Sequence, residues 1–131
     1  MSEPARRLVV LRHGESRANR EGVWQGQYDS PLTEVGVLQA QAAAKVIALG
    51  SPALVVASDL TRAATTGDIV GSAADVPVTY DPRLREIDVG EWTGMSGALV
   101  KERYAVERER HLRGEDFKRG VSGESLSDVQ E

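Results

Sequence analysis

Residues 11–15 read Leu-Arg-His-Gly-Glu, directly behind the apolar run Leu8-Val9-Val10-Leu11. A short buried strand over 8–11 would deliver an arginine, a histidine and a glycine to its carboxyl end, which is where open α/β sheets bind ligands. Histidine is a nucleophile near neutral pH, with an ordinary pKa of about 6.5. The neighbouring Arg12 can clamp a phosphate with its planar fork. An ordinary surface histidine would show the same tripeptide, so the place of His13 behind a strand is what gives the motif weight. Other segments carry phosphate-compatible groups as well. Asn19 follows His13 by six residues, Gln25-Gly26 lies in a long polar stretch, Ser58-Asp59-Leu60-Thr61-Arg62 sits at a strand-to-helix junction, and Leu84-Arg85-Glu86 precedes Ile87-Asp88-Val89-Gly90-Glu91-Trp92.

Phosphoryl transfer needs charge on the equatorial oxygens neutralised and an in-line nucleophile held still. Two arginines supply permanent, directional positive charge without a metal. A covalent intermediate divides one hard displacement into two easier ones. An alkoxide leaves poorly, so a carboxylic acid must protonate it, whereas an ordinary glutamate at about 4.3 is ionised at neutral pH. Burial and a neighbouring phosphate anion would hold the proton on such a group. Glu86, Asp88 and Glu91 compete for that role, and Glu15 reads as structural. Arg62, in the first turn of a helix, would ordinarily be a solvated charge; following a buried strand and Ser58-Asp59, it reads as a site residue. Trp24 and Trp92 fit a pocket lining and buried packing equally well.

The elements that must position these groups are legible in outline. The run 8–11 reads as a central parallel strand, and 13–32 as a long loop of the kind that is usually functional. Thr33 caps a helix over 34–49, with Val35, Leu38, Ala42, Val46 and Leu49 on one face. Residues 53–57 read as a second strand and 60–70 as a helix capped by Ser58 and Asp59 and ending at Gly71. A third strand follows at 76–80, then an irregular segment at 83–97 and a charged helix over 98–113. After a polar loop at 114–123, Ser125 caps a last helix from Leu126; no Gly-x-Ser-x-Gly elbow surrounds that serine. The strand–helix alternation predicts an α/β fold, a three-layer αβα arrangement with a mostly parallel central sheet. The 131 residues suit one domain.

Composition narrows the partners. The chain is 40% hydrophobic and 27% charged, and its formal charge of −4 gives no general attraction to nucleic acid or an anionic membrane. No stretch reaches membrane-spanning length. Arg6-Arg7 precedes an apolar run of four residues that meets Arg12, too short for a signal core. There is no cysteine, which excludes disulfides and thiolate metal sites and fits a cytoplasmic protein. Two histidines and no cysteine argue against a dedicated transition-metal site, and no cofactor is expected.

Taken in order, these motifs resemble the histidine phosphatase superfamily, the phosphoglycerate mutase-like proteins. Trp24-Gln25-Gly26, Asp29-Ser30-Pro31-Leu32-Thr33, Gly36 with Gln39-Ala40, and Gly123-Glu124-Ser125 extend the resemblance from Arg7 to Val129. It implies that His13 is the nucleophile that becomes phosphohistidine and that Arg12 and Arg62 bind the phosphoryl oxygens. Asn19, Gln25 and the backbone of Gly26 would contact phosphate or substrate. Glu86, in its Leu-Arg-Glu pattern, would be the proton donor and later the base for water. The segment 84–94 looks like the compact phosphatase branch, because mutases of the family carry a longer insertion after the acidic residue. The implied function is a metal-independent phosphomonoesterase acting on a small phosphorylated metabolite, such as phosphoglycerate, its glycosylated derivatives or another sugar phosphate. Mutase activity and a non-catalytic phosphate-binding role are the alternatives.

The chain departs from that family in one respect. The superfamily carries a second histidine on a later strand, and His111, in Arg110-His111-Leu112-Arg113, does not match its motif. The later strand and its helices are missing too, so the expectation is a chain lacking the C-terminal part of its domain. A chain that did end there would expose apolar surface and a strand edge, and is expected to be poorly stable or to form a homodimer.

Overall fold

A computed structural model describes residues 5–131 of the chain. Its elements are α1 (Arg17–Glu21), α2 (Glu34–Leu49), β1 (Val55–Ala57), α3 (Thr61–Ala74), β2 (Val78–Tyr80), 3₁₀ turns at Pro82–Leu84 and Gly90–Trp92, α4 (Gly97–Arg103), α5 (Ala105–Leu112) and α6 (Leu126–Gln130). The fold is α/β. β1 and β2 pair in parallel, Val55 against Val78 through Ala57 against Tyr80, with α3 as the crossover between them.

Packing in this unit runs through small residues. On α3, a Cβ at Gly67 would stand 2.8 Å from the Ala57 Cβ, and one at Gly71 would stand 2.3 Å from the Val78 Cγ2. The missing side chains let the helix lie directly on the sheet. Gly71 is therefore a contact residue and not a terminator. The helix continues past it to Ala74, and Asp75, at φ 55°, ends it. α2 buries Gly36, Ala40 and Ala44 and packs on α3.

That arrangement reverses one expectation. Val35, Leu38, Val46 and Leu49 are exposed, as is Ala42. Close approach of two helices favours the face with the smallest side chains, and the bulkier stripe is left without a partner among the described residues. The run 8–11 differs as well. It forms no strand, and Leu8 and Val10 are 87% and 86% exposed. A strand needs a ladder partner for its N–H and C=O groups, and the described residues supply none beside it.

Smaller corrections have local causes. The loop at 13–32 contains α1, because Ser16 and Asn19 form a reciprocal capping box. The expected helix over 98–113 is two helices that meet at Tyr104, whose backbone leaves helical geometry at φ −130°, ψ 46°. A second core lies beyond the sheet: Val89, Trp92, Val100 and Phe117 are buried together, with Trp24, Ile87, Met95 and Tyr104 packed around them. Among the described residues no helix is long and apolar enough to cross a membrane.

Candidate active site

Two glycines bring the Arg-His-Gly segment onto α2. A Cβ on Gly14 would stand 2.2 Å from the Gly36 carbonyl oxygen, and a Cβ on Gly36 would stand 2.1 Å from that of Glu15. Polar contacts lock the same junction. The Gly14 N–H donates to Thr66 Oγ1 on α3 at 3.2 Å, the Glu15 N–H to Gln39 Oε1 on α2 at 2.8 Å, and the Thr33 N–H to the Glu15 carbonyl at 2.9 Å. The Glu15 carboxylate accepts from the Thr33 hydroxyl at 2.6 Å and pairs with Arg20 at 3.4 Å, a structural use of that side chain.

His13 is half-buried, with Nδ1 2.6 Å from the Gly14 carbonyl oxygen. A carbonyl only accepts, so Nδ1 carries the proton and Nε2 keeps a free lone pair. Burial is the largest influence on the ring and holds its pKa below the ordinary value; Arg62 and Arg12 push the same way, against the Gly14 carbonyl and Glu86.

Arg62 is 2% exposed. Its Nη1 donates to the Tyr28 carbonyl at 2.8 Å, and its Nη2 donates to the Gly26 carbonyl and to Glu86 Oε2, the latter at 3.0 Å. The 22–33 loop thus aims the guanidinium. Gly26 can do this because its backbone is left-handed, at φ 48°, and packed against Ile87 and Val89. The same loop caps α3, since Asp29 accepts from the Thr61 N–H at 2.7 Å and the Thr61 hydroxyl at 2.8 Å. The expected caps act otherwise. Ser58 accepts from the Leu60 N–H at 3.2 Å, Asp59 pairs with Arg85 at 2.6 Å, and Leu60, the N-cap residue, makes no side-chain cap.

A cleft of about 270 Å³ opens beside these groups, lined by Arg12, Asn19, Trp24, Gln25 and Glu86 among others. Asn19 holds its Oδ1 on the Ser16 N–H at 2.9 Å, and buried Gln25 accepts from the Ser16 hydroxyl at 2.7 Å. Glu86 is separated from its rivals here. Asp88 accepts from the Gly90 N–H at 2.9 Å, and Glu91 accepts from the Ser122 N–H and hydroxyl, each at 3.0 Å. Those hydrogen bonds, the Ser122 N–H first, lower the Glu91 pKa. Glu86 lies on the cleft but is not buried: its side chain is 45% exposed.

The structure therefore gathers His13, Arg62 and Glu86, and places Arg12, Asn19 and Gln25 along the adjoining cleft. Gly26 contributes a carbonyl to Arg62. His111 lies apart from this set, in the aromatic cluster with Trp24 and Trp92. Sequence reading did not find Gln27 and Glu124. Gln27 Nε2 donates to the Glu86 carbonyl at 3.3 Å and to Glu124 Oε2 at 3.2 Å, and Glu124 Oε2 also accepts from the Asp88 N–H at 2.9 Å. Glu124 stands in the Gly-Glu-Ser signature, which was the only signal available for it.

The chain is similar to proteins of known sequence and structure. A glucosyl-3-phosphoglycerate phosphatase of Mycolicibacterium vanbaalenii is 47% identical over 91 residues, covering 70% of this chain and 40% of that protein. A probable phosphoglycerate mutase GpmB of Cronobacter sakazakii is 38% identical over 125 residues, covering 95% of this chain and 58% of that protein. Among solved structures, mycobacterial glucosyl-3-phosphoglycerate phosphatase Rv2419c in complex with VO3 superposes with a TM-score of 0.82 at 37% identity, over 89% of this chain and 56% of that one. The chain thus spans about half the length of the relatives it matches. The family model for the histidine phosphatase superfamily (branch 1) matches residues 8–131, and the chain belongs to that superfamily.

Proposed function

We propose that this chain carries the active site of a metal-independent phosphomonoesterase that works through phosphohistidine at His13. The observation that carries the reading is the buried Arg62, whose fork is held by two carbonyls and by Glu86 beside the half-buried His13. A charge that costs several kcal/mol to bury is well placed for an anion that arrives later.

In the first half-reaction the His13 Nε2 lone pair attacks phosphorus, and the ester P–O bond breaks. Arg12 and Arg62 hold the equatorial oxygens, and Glu86 gives its proton to the leaving oxygen. In the second half-reaction the Glu86 carboxylate takes a proton from water, the water oxygen attacks phosphorus, and the P–N bond breaks to regenerate Nε2. Asn19, Gln25 and the Gly26 backbone contact the phosphoryl group or the substrate. The substrate class is a small phosphorylated metabolite, a phosphoglycerate derivative or sugar phosphate, which the names of similar phosphatases support. The cysteine-free chain fits a cytoplasmic setting.

Similarity to a probable phosphoglycerate mutase over 95% of the chain keeps mutase activity as a second reading. One experiment separates the two. The protein is mixed with glucosyl-3-phosphoglycerate, quenched in alkali and digested, and phosphohistidine is mapped by mass spectrometry. Phosphatase action predicts label on His13, free phosphate as product, and no effect of EDTA. His13→Ala should lower turnover by roughly 10⁴-fold or more. Full phosphate release by His13→Ala would refute the phosphohistidine route. Transfer to phosphoglycerate with little free phosphate, primed by 2,3-bisphosphoglycerate, would establish the mutase.

A further inference from the structure

Trp24 lines the cleft together with Arg12, Asn19, Gln25 and Glu86, yet the phosphoryl chemistry has no use for an indole. Its backbone is pinned on both sides: its N–H donates to the Met95 carbonyl at 2.8 Å, and its carbonyl accepts from the Gly94 N–H at 2.7 Å. Its ring is backed by two others. Trp92, fully buried, lies with its centroid 5.1 Å away at an interplanar angle of 59°, and His111 lies edge-on at 5.3 Å and 79°. His111 is itself held, because its Nδ1 accepts from Arg119 Nε at 3.3 Å. Arg119 is 2% exposed and donates to the Phe117 carbonyl at 2.6 Å. A side chain braced in this way is a rigid wall.

Resting on the phosphatase reading above, we propose that Trp24 is a specificity-determining residue: its indole receives the organic part of the substrate, specifically a sugar ring carried beyond the phosphoryl group. The cleft, at about 270 Å³, lies just below the usual range of ligand pockets, shares Arg12 and Glu86 with the proposed phosphoryl site, and suits one ring-sized substituent. A pyranose has an apolar C–H face and a polar rim. The indole supplies a large apolar surface for the first, and Asn19 and Gln25 supply amides for the second. His111 acts as a positioning residue: it keeps the Trp24 ring in place from α5 and does not touch the phosphoryl group.

The test has a binding arm and a kinetic arm. In the full chain carrying His13→Ala, which cannot turn substrate over, the two indole N–H signals are followed by NMR and assigned with Trp24→Phe. Glucosyl-3-phosphoglycerate should shift the Trp24 signal, and 3-phosphoglycerate should shift it much less. Equal shifts with both ligands, or none with either, would overturn the proposal, and this arm stands even if the chemistry proves to be something other than hydrolysis. In the active protein, Trp24→Ala should lower the ratio of kcat/KM for the glucosylated over the unglycosylated substrate by roughly tenfold, with Trp24→Phe intermediate. His111→Ala should move the same ratio in the same direction by less. An unchanged ratio for Trp24→Phe and Trp24→Ala, in proteins with a native circular dichroism spectrum, would also overturn it.

Discussion

Arg62 is the buried charge on which the proposed site rests. A guanidinium at 2% exposure would be costly if left alone, and here the carbonyls of Tyr28 and Gly26 and the Glu86 carboxylate accept its hydrogen bonds. Burial, and after it the same positive charge, lowers the His13 pKa. Burial likewise lowers the His111 pKa, with Arg119 and Arg108 adding to it. The consequence is measurable, since these are the only two histidines of the chain. Ring-proton NMR should give both midpoints below the ordinary value of about 6.5. For a depressed histidine the unfolded chain binds more protons as pH falls through this region, so the contribution to stability is complete above about 6.5 and declines as the solution is acidified toward the folded-state value. Midpoints at or above 6.5 would mean that neither ring is desolvated as the structure has it. Arg12, His13, Arg62 and Glu86 could be singled out in the sequence because each lies in a recognisable motif. Gln27 and the reach of Asp29 to Thr61 could not, because they depend on segments meeting across space.

At the scale of elements, α2 illustrates how packing overrides a pattern. Its limits at Glu34 and Leu49 and its Thr33 cap follow from local chemistry. Its buried face does not: Gly36, Ala40 and Ala44 are inside, while Leu38 and Leu49 are 64% and 86% exposed. Gly36 shows why. In an isolated helix, Gly→Ala would stabilise by about 1 kcal/mol. Here the new Cβ would lie 2.1 Å from a backbone oxygen of the segment that carries His13. Gly36→Ala is therefore expected to destabilise by roughly 1–3 kcal/mol and to lower turnover by shifting that segment. Denaturant unfolding and a rate assay on the same preparation check both effects. A more stable variant with unchanged turnover would show that the Gly14–Gly36 contact is looser than described.

At the scale of the whole molecule, the apolar surface stands out. Leu8, Val9 and Val10 at one end, and Val46, Leu49 and Leu54 elsewhere, are each more than half exposed. Apolar surface of this extent favours association. The 131-residue chain is expected to bind ANS and to show a concentration-dependent rise in mass in sedimentation velocity, with a homodimer as the first species. A monomer at all concentrations with no ANS binding would contradict this. The family match covers residues 8–131, so the run at 8–11 belongs to the family region even though it pairs with no strand here.

What the sequence alone determined is the superfamily, from motifs in order along the chain, and the local chemistry: the phosphate-compatible residue types and the caps at Thr33 and Ser125. Each of these depends on neighbours a few residues apart, and so can be read along the chain. Tertiary structure alone decided which face of α2 is buried, that α3 runs through Gly71, that Glu86 and not Asp88 or Glu91 meets Arg62, and that Trp24 forms a wall of the cleft. Each of those turns on which surfaces come close enough to touch. Close approach is governed by small side chains and by hydrogen-bond partners dozens of residues away, which no local pattern records.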